Sequence, residues 1–285
     1  MTLNLKHLAS EETIVGKRGH KIFLRQWRTA STPKAVVVIC PGFNGHSGQY
    51  GWSAEQLASA GFCVYALDLR GRGRSDGERF FVERFEDYVE DVRAVILLAK
   101  GRDQGLPVFL LGHSAGGVVA SAYATTYPLD LAGLISESFA FQLPAPGFAL
   151  AMISAMARWL PRVPVLKLPN KDFSRDPRIV ATMNADSLIA GEKEPAATVA
   201  ALIAANRRLD RDFGKITLPL LILHGDADKL AKVGGSRRFQ QAAGSSDKTL
   251  KLYTGHVHDL LADLGKAQVM DDVIDWLQTR LAVRR

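Results

Sequence analysis

Leu110-Leu111-Gly112-His113-Ser114-Ala115-Gly116-Gly117 decides the reading of this chain. Before it, residues 107–111 have the Val, Phe and Leu content of a short buried strand; after it, residues 118–124 read as a helix. A Gly-x-Ser-x-Gly between strand and helix is a nucleophile elbow, a turn that strains the serine backbone and leaves its hydroxyl exposed. Gly112 and Gly116 are required because a side chain at either would collide with the neighbouring strand or helix. The Ala115 N–H then points to where an oxyanion would form. Five residues alone are a weak match; the flanking strand and helix and a third glycine at 117 give it weight.

With 285 residues, 47% hydrophobic and 23% charged, the chain can bury one large core and carry an inserted subdomain. The net charge of +7 raises the question of nucleic acid. The basic residues are scattered in runs no longer than two, however, which predicts a basic soluble enzyme with no nucleic-acid partner. Cys40 and Cys63 fall in apolar, strand-like runs and read as buried reduced thiols, predicting a cytoplasmic location. Residues 1–13 lack the apolar stretch of a secretion signal. No apolar run reaches the ~20 residues that span a bilayer.

Working outward, residues 12–16 and 21–27 predict a hairpin. Residues 34–40, Lys-Ala-Val-Val-Val-Ile-Cys, predict a strand covered on both faces. Further strands are expected at 62–67, 131–136, 218–224 and 249–253. Helices are expected at 52–60, along the stripe from Phe85 to Ala99, at 235–243 and at the C-terminus. The alternation predicts an α/β fold: a mostly parallel central sheet with helices on both faces. Residues 139–215 break the rhythm with an apolar segment at 147–160, a Pro-rich stretch and two more helices. They are expected to form a helical cap, leaving 1–138 and 216–285 as the core. The glycine-rich loop 68–77 lacks the Gly-Lys-Ser/Thr ending of a phosphate loop and predicts no nucleotide site.

A serine hydroxyl needs an adjacent base, and the base an orienting carboxylate. Behind an elbow the partners follow in the order acid, then histidine. His7, His20 and His46 come too early, His113 lies inside the elbow, and His224 ends a strand. His256 and His258 remain, and His258, nearer the next helix, is preferred. For the acid, Asp226 and Asp228 follow the strand at 218–224, and Asp228 lies further out along the loop. Glu137 ends another buried strand at the same sheet edge and stands as the alternative acid. The second oxyanion donor is expected after the Val-rich strand: Pro41 has no N–H, Gly42 permits close approach, and Phe43 offers its backbone N–H. No His, Cys or carboxylate cluster has metal-ligand spacing, so neither metal nor cofactor is expected.

His46-Ser47-Gly48-Gln49-Tyr50, the loop 68–77, Gly112 to Gly117, Gly225-Asp226-Ala227-Asp228, and residues 249–253 leading to Gly255 and His258 together resemble the α/β-hydrolases of the monoacylglycerol lipase and lysophospholipase type. The resemblance spans nearly the whole chain, more weakly through the cap. It implies an α/β-hydrolase fold, and it places the triad acid on Asp228 and the base on His258. Pro41 and Arg72 stand where the family usually has His, Ala115 where it has Met, and Phe139 where it has Pro.

The expected activity is serine carboxylic-ester hydrolysis of monoacylglycerol-like or lysophospholipid-like esters. The alternatives are other small esters, C–C or thioester bonds on the same triad, or a hydrolase-like binding protein without activity. Within the cap, Phe148, Leu150, Met152, Ile153, Met156, Trp159 and Leu160 are too many apolar residues for one helix face. Either the helix is buried between cap and sheet, or part of it meets lipid. The cap carries +4 of the total charge, which suits an anionic membrane or micelle surface. On the second reading Met152, Met156 and Trp159 are substrate and lid candidates.

Overall fold

The computed structural model describes residues 9–283; His7, and most of the segment read above for a secretion signal, lie outside them. The chain runs β1 (Ser10–Val15), β2 (Lys21–Trp27), β3 (Ala35–Cys40), α1 (Gly51–Ser59), β4 (Phe62–Leu67), α2 (Phe85–Arg102), β5 (Val108–His113), α3 (Ala115–Thr126) and β6 (Gly133–Glu137). It continues through α4 (Gly147–Met156), β7 (Pro164–Leu166), α5 (Pro177–Ala185), β8 (Glu194–Pro195) and α6 (Ala196–Asp212). It closes with β9 (Leu220–Gly225), α7 (Val233–Ala242), β10 (Lys248–Tyr253) and α8 (Lys266–Val283).

Eight strands form one sheet in the order β1-β2-β4-β3-β5-β6-β9-β10. Only β2 runs against the rest; it pairs antiparallel with β1, as the hairpin predicts, and also with β4. The remaining pairs are parallel. The apolar runs of β3, β4, β5 and β9 are buried throughout because both faces are covered. Alternate residues serve opposite cores. Val36, Val38 and Leu110 meet side chains of α2, α3, α6 and α7, while Val37, Ile39 and Leu111 meet those of α1 and α8. This is an α/β-hydrolase fold.

The segment between β6 and β9 adds nothing to the main sheet; β7 and β8 pair only with each other. Its pieces pack differently. α6 buries Leu202 and Leu209 in the same apolar cluster as α3 and the sheet, whereas α4 has no buried residue. Among the described residues no helix is long and apolar enough to cross a membrane.

Register sets the working edge. Cys40 pairs with Gly112, His113 with Glu137, and Glu137 with Leu223. The carboxyl ends of β3, β5, β6 and β9 therefore lie side by side, and the loops that follow them converge.

Candidate active site

Ser114 sits between β5 and α3 at φ 56°, ψ −120°, in the left-handed half of the map that a serine rarely occupies. Its N–H donates to the Glu137 carbonyl at 2.8 Å, and its own carbonyl accepts from Gly117 at 3.0 Å. The glycines are needed for space. A Cβ on Gly112 would lie 2.3 Å from the Gly116 carbonyl oxygen, and one on Gly116 would lie 2.2 Å from that of Cys40.

Three loops bring the predicted side chains together. The Ser114 hydroxyl donates to His258 Nε2 at 2.8 Å, and His258 Nδ1–H donates to Asp228 Oδ2 at 2.8 Å. The acceptor-only carboxylate fixes this tautomer. Asp228 Oδ1 accepts the Leu230 and Ala231 N–H groups at 2.7 and 3.0 Å. Burial would raise the Asp228 carboxyl, but His258, His224 and these N–H groups outweigh it and hold the carboxyl below its usual range. The His258 imidazole is thus oriented by a carboxylate that stays ionised.

His224, set aside above as a strand end, takes part in this arrangement. Its Nε2–H lies 3.1 Å from Asp228 Oδ2 and 3.2 Å from the Ala231 carbonyl, while its Nδ1 accepts the Ser236 hydroxyl at 2.7 Å. Asp228 Oδ2 is therefore gripped by two imidazoles. The available signal was the four-residue spacing in His224-Gly225-Asp226-Ala227-Asp228, which folds the loop back onto its own strand.

The competing candidates face elsewhere. Asp226 Oδ1 caps the Gly255 N–H at 2.6 Å, a turn contact. His256 lies against Asp263, with 3.8 Å between Nδ1 and Oδ2. Glu137 is fully buried and accepts the Leu261 N–H at 3.1 Å; among the described residues its second oxygen has no hydrogen-bond partner, and it makes no bond to His258. Glu137, His113 and Asp259 bring one ligand-type atom each within 4.8 Å of one another behind His258. Burial, then the charge of Asp259, pushes Glu137 up; burial pushes Asp259 up to about 6. Burial, then His258, lowers His113 to about 3. Two carboxyls this close cannot both ionise, so the cluster favours a held proton over charge.

Gly42 packs against Ser114: a Cβ there would lie 2.8 Å from Ser114 Cβ. Phe43 and Ala115 both border the cavity in front of Ser114. Ala115 opens α3, so its N–H has no partner within the helix.

That cavity has a volume of about 410 Å³. Ser114 and His258 belong to its lining, and Leu143, Leu150, Ile153, Val165, Leu202 and Leu230 supply apolar walls. Met152, Met156 and Trp159, expected as substrate and lid candidates, are not among the residues that line it. Helical spacing accounts for Met152: Ala149, Leu150 and Ile153 share the face of α4 turned to the cavity, and Phe148 and Met152 fall on the other. Met156, three residues on from Ile153, shares the inner face but ends the helix, and Trp159 lies beyond it. α4 is not buried between two layers either. Phe148 is 72%, Met152 65% and Trp159 84% exposed.

The model of the serine aminopeptidase S33 family matches residues 31–265. The chain belongs to this family. It is 34% identical to the monoacylglycerol lipase of Mycolicibacterium smegmatis over 274 residues, 95% of this chain and 98% of that one. It is 33% identical to the human monoglyceride lipase over 274 residues, 94% of this chain and 90% of the relative. The crystal structure of the Paleococcus ferrophilus monoacylglycerol lipase superposes with a TM-score of 0.81 at 28% identity, covering 91% of this chain and 99% of that one. This S33 member is an α/β-hydrolase resembling the monoacylglycerol lipases, and by kinship a carboxylic-ester hydrolase.

Proposed function

We propose that the chain hydrolyses monoacylglycerol-like esters, with Ser114 as nucleophile, His258 as base and acid, Asp228 as its orienter, and the Phe43 and Ala115 N–H groups as oxyanion donors. The observation that carries this is the unbroken relay Ser114–His258–Asp228 opening on an apolar cavity. Ser114 Oγ attacks the ester carbonyl while His258 Nε2 takes its proton. The tetrahedral oxyanion rests on the two N–H groups and collapses, and the departing alcohol takes the proton from His258. Water, deprotonated by His258, then releases the carboxylic acid and restores Ser114.

The family description of a serine aminopeptidase fits the cavity less well. A peptidase of that kind has to hold a free ammonium, and the lining offers no Asp or Glu; Lys167 and His258 are its ionisable side chains. An apolar wall suits an acyl chain. Likeness to monoacylglycerol lipases in sequence supports the same substrate class.

Residues 139–215 act in this reading as a cap over the cavity. The exposed Phe148, Met152, Trp159 and Leu160 favour peripheral contact of α4 and its C-terminal turn with a membrane or micelle surface. The free, buried Cys40 and Cys63 suit a reducing, cytoplasmic compartment.

The test is labelling by a fluorophosphonate, followed by a chain-length series of monoacylglycerols. Stoichiometric phosphonylation of Ser114 and hydrolysis favouring medium to long acyl chains are expected. A protein that binds these esters but neither labels nor turns over would instead be a hydrolase-like binder.

A further inference from the structure

Asn44, next to Phe43, has a positive φ of 58° and follows the end of β3, where the sheet no longer supports the chain. Its anchors lie in the cap, residues 139–215. The Asn44 N–H donates to Glu192 Oε1, and its side-chain amide donates to Asn170 Oδ1 at 2.7 Å. Two residues on, His46 Nδ1 accepts the Gly48 N–H, and its Nε2–H donates to Asp186 at 2.7 Å. Glu192 is held in turn by Arg72, which donates to it through one terminal nitrogen and to Glu194 Oε2 through the other, at 2.7 Å. Arg72 is 1% exposed, and its guanidinium lies over the Phe43 ring, 4.1 Å from the centroid. Tyr88 meets the same ring edge-on at 6.3 Å.

From this we infer that Arg72 and Glu192 are positioning residues that fix the oxyanion loop, so that the Phe43 donor is in place only when the cap is docked. The inference rests on the reading of Phe43 given above and names what holds it. Several features point this way. One carboxylate oxygen of Glu192 takes both the Asn44 N–H and an Arg72 nitrogen, so moving the cap withdraws at once the loop's backbone partner and the carboxylate that holds Arg72 over the Phe43 ring. Arginine suits the task because its planar fork reaches two carboxylates and still offers a flat face to an aromatic ring. The contacts bear on the loop from two sides, from Glu192 at the backbone and from Arg72 at the ring. A residue that served only to attach the cap would have no reason to hold the amide beside the donor.

The test separates positioning from mere packing. Turnover of a short, soluble p-nitrophenyl ester is measured for Glu192→Ala and Glu192→Gln, each confirmed folded by circular dichroism at the assay temperature. In Glu192→Ala, kcat should fall about 10- to 100-fold with KM within about 3-fold, since losing one oxyanion donor outright costs ~10²–10³. Glu192→Gln keeps an oxygen that accepts from Asn44 and should recover most of the loss. Affinity for an alkyl boronic acid, which mimics the tetrahedral state, should drop in parallel with kcat, while binding of a long-chain alcohol should hold. Arg72→Met should reproduce the loss; because it strands two buried glutamates and can fail to fold, the Glu192 pair decides. Unchanged kcat and boronate affinity in folded Glu192→Ala would overturn the inference, and so would equal losses in the Ala and Gln variants. Ser114→Ala in the same assay keeps the two claims apart. Its inactivity beside a fully active Glu192→Ala removes only this inference; its retained turnover removes the underlying mechanism.

Discussion

The two walls of the cavity are held in place by different means. On the sheet side, Ser114, Asp228 and His258 follow buried strands or their loops, and hydrogen bonds to backbone pin them: Ser114 to Gly117 and, across to the next strand, to Glu137, and the Asp228 carboxylate to the N–H groups of Leu230 and Ala231. Opposite them, α4 offers Ala149, Leu150 and Ile153 to the cavity and buries no residue completely. One wall has to hold reacting atoms to tenths of an ångström, and its residues are replaceable only at great cost. The other has to exclude water and accept chains of different length, which a loosely seated helix can do. Substitutions on the two walls should therefore differ in kind as well as in size.

The largest expected effect is on the sheet side. Ser114→Ala should lower kcat by about 10⁶, as in other triads where the serine is removed, equally for soluble and micellar esters. The side chain is small and borders the cavity, so melting temperature should hold. Turnover near that of the wild type would end the comparison, since the relay would then be ornamental. Asp228→Asn comes next. It keeps the shape of the loop but offers an amide where two imidazoles donate, favours the wrong His258 tautomer, and should cost about 10⁴ in kcat. A large loss in Asp226→Asn with a mild one in Asp228→Asn would move the acid.

On the helix side the effects should be about tenfold and selective. Met152→Ser with Trp159→Ser removes exposed apolar surface that does not touch the cavity. Co-sedimentation with anionic vesicles and hydrolysis of long-chain monoacylglycerol in micelles should fall about 5- to 10-fold, because the two side chains, partly inserted, together contribute about 1–1.4 kcal/mol of apolar burial in lipid. Hydrolysis of a soluble acetate ester should be unchanged. Equal losses on both substrates, or no vesicle binding by the wild type, would make this surface ordinary helix exterior.

What could be read from the sequence follows the same division. Strand, glycine and serine in residues 108–117 constrain one another locally, so the elbow and its sheet were legible without a partner in view. Cys40 to Phe43 and Gly225 to Asp228 were legible because a buried strand delivers its next loop to a known edge. The facing of α4 was not. Its residues are apolar nearly all round, and only the position of the sheet beneath decides which of Leu150 and Met152 turns inward. Nor was the contact between Arg72 and Glu192, 120 residues apart and each unremarkable alone. His224 was missed for a simpler cause: a histidine inside a buried strand reads as packing until the following loop is seen to return to it.

The smallest effect concerns Glu137, the alternative acid on the sheet side. Glu137→Gln should leave kcat within about threefold, since Glu137 makes no bond to His258 and glutamine can still accept the Leu261 N–H. Its signature should be in stability. Burial first, then the neighbouring Asp259, raises the Glu137 carboxyl above its usual value. A carboxyl raised in the folded state favours folding while protonated, below its unfolded value of about 4.3, and that contribution is lost as pH rises through the folded value. Asp259, raised to about 6, works in the same direction. His113, lowered to about 3, works oppositely: its contribution is present above about 6.5 and is lost as pH falls toward 3. Asp228, held low by its histidines, likewise stabilises above the ordinary carboxylate range. To first order these terms are common to wild type and variant, so the difference in melting temperature isolates Glu137 and its coupling to Asp259. Glu137→Gln should melt higher than the wild type at pH 8, by about 2–4 °C for each kcal/mol recovered, and the gap should close toward pH 4. A gap independent of pH would mean that Glu137 is not a buried acid resisting ionisation. A loss of turnover approaching that expected for Asp228→Asn would mean that the orienting carboxylate had been placed on the wrong strand.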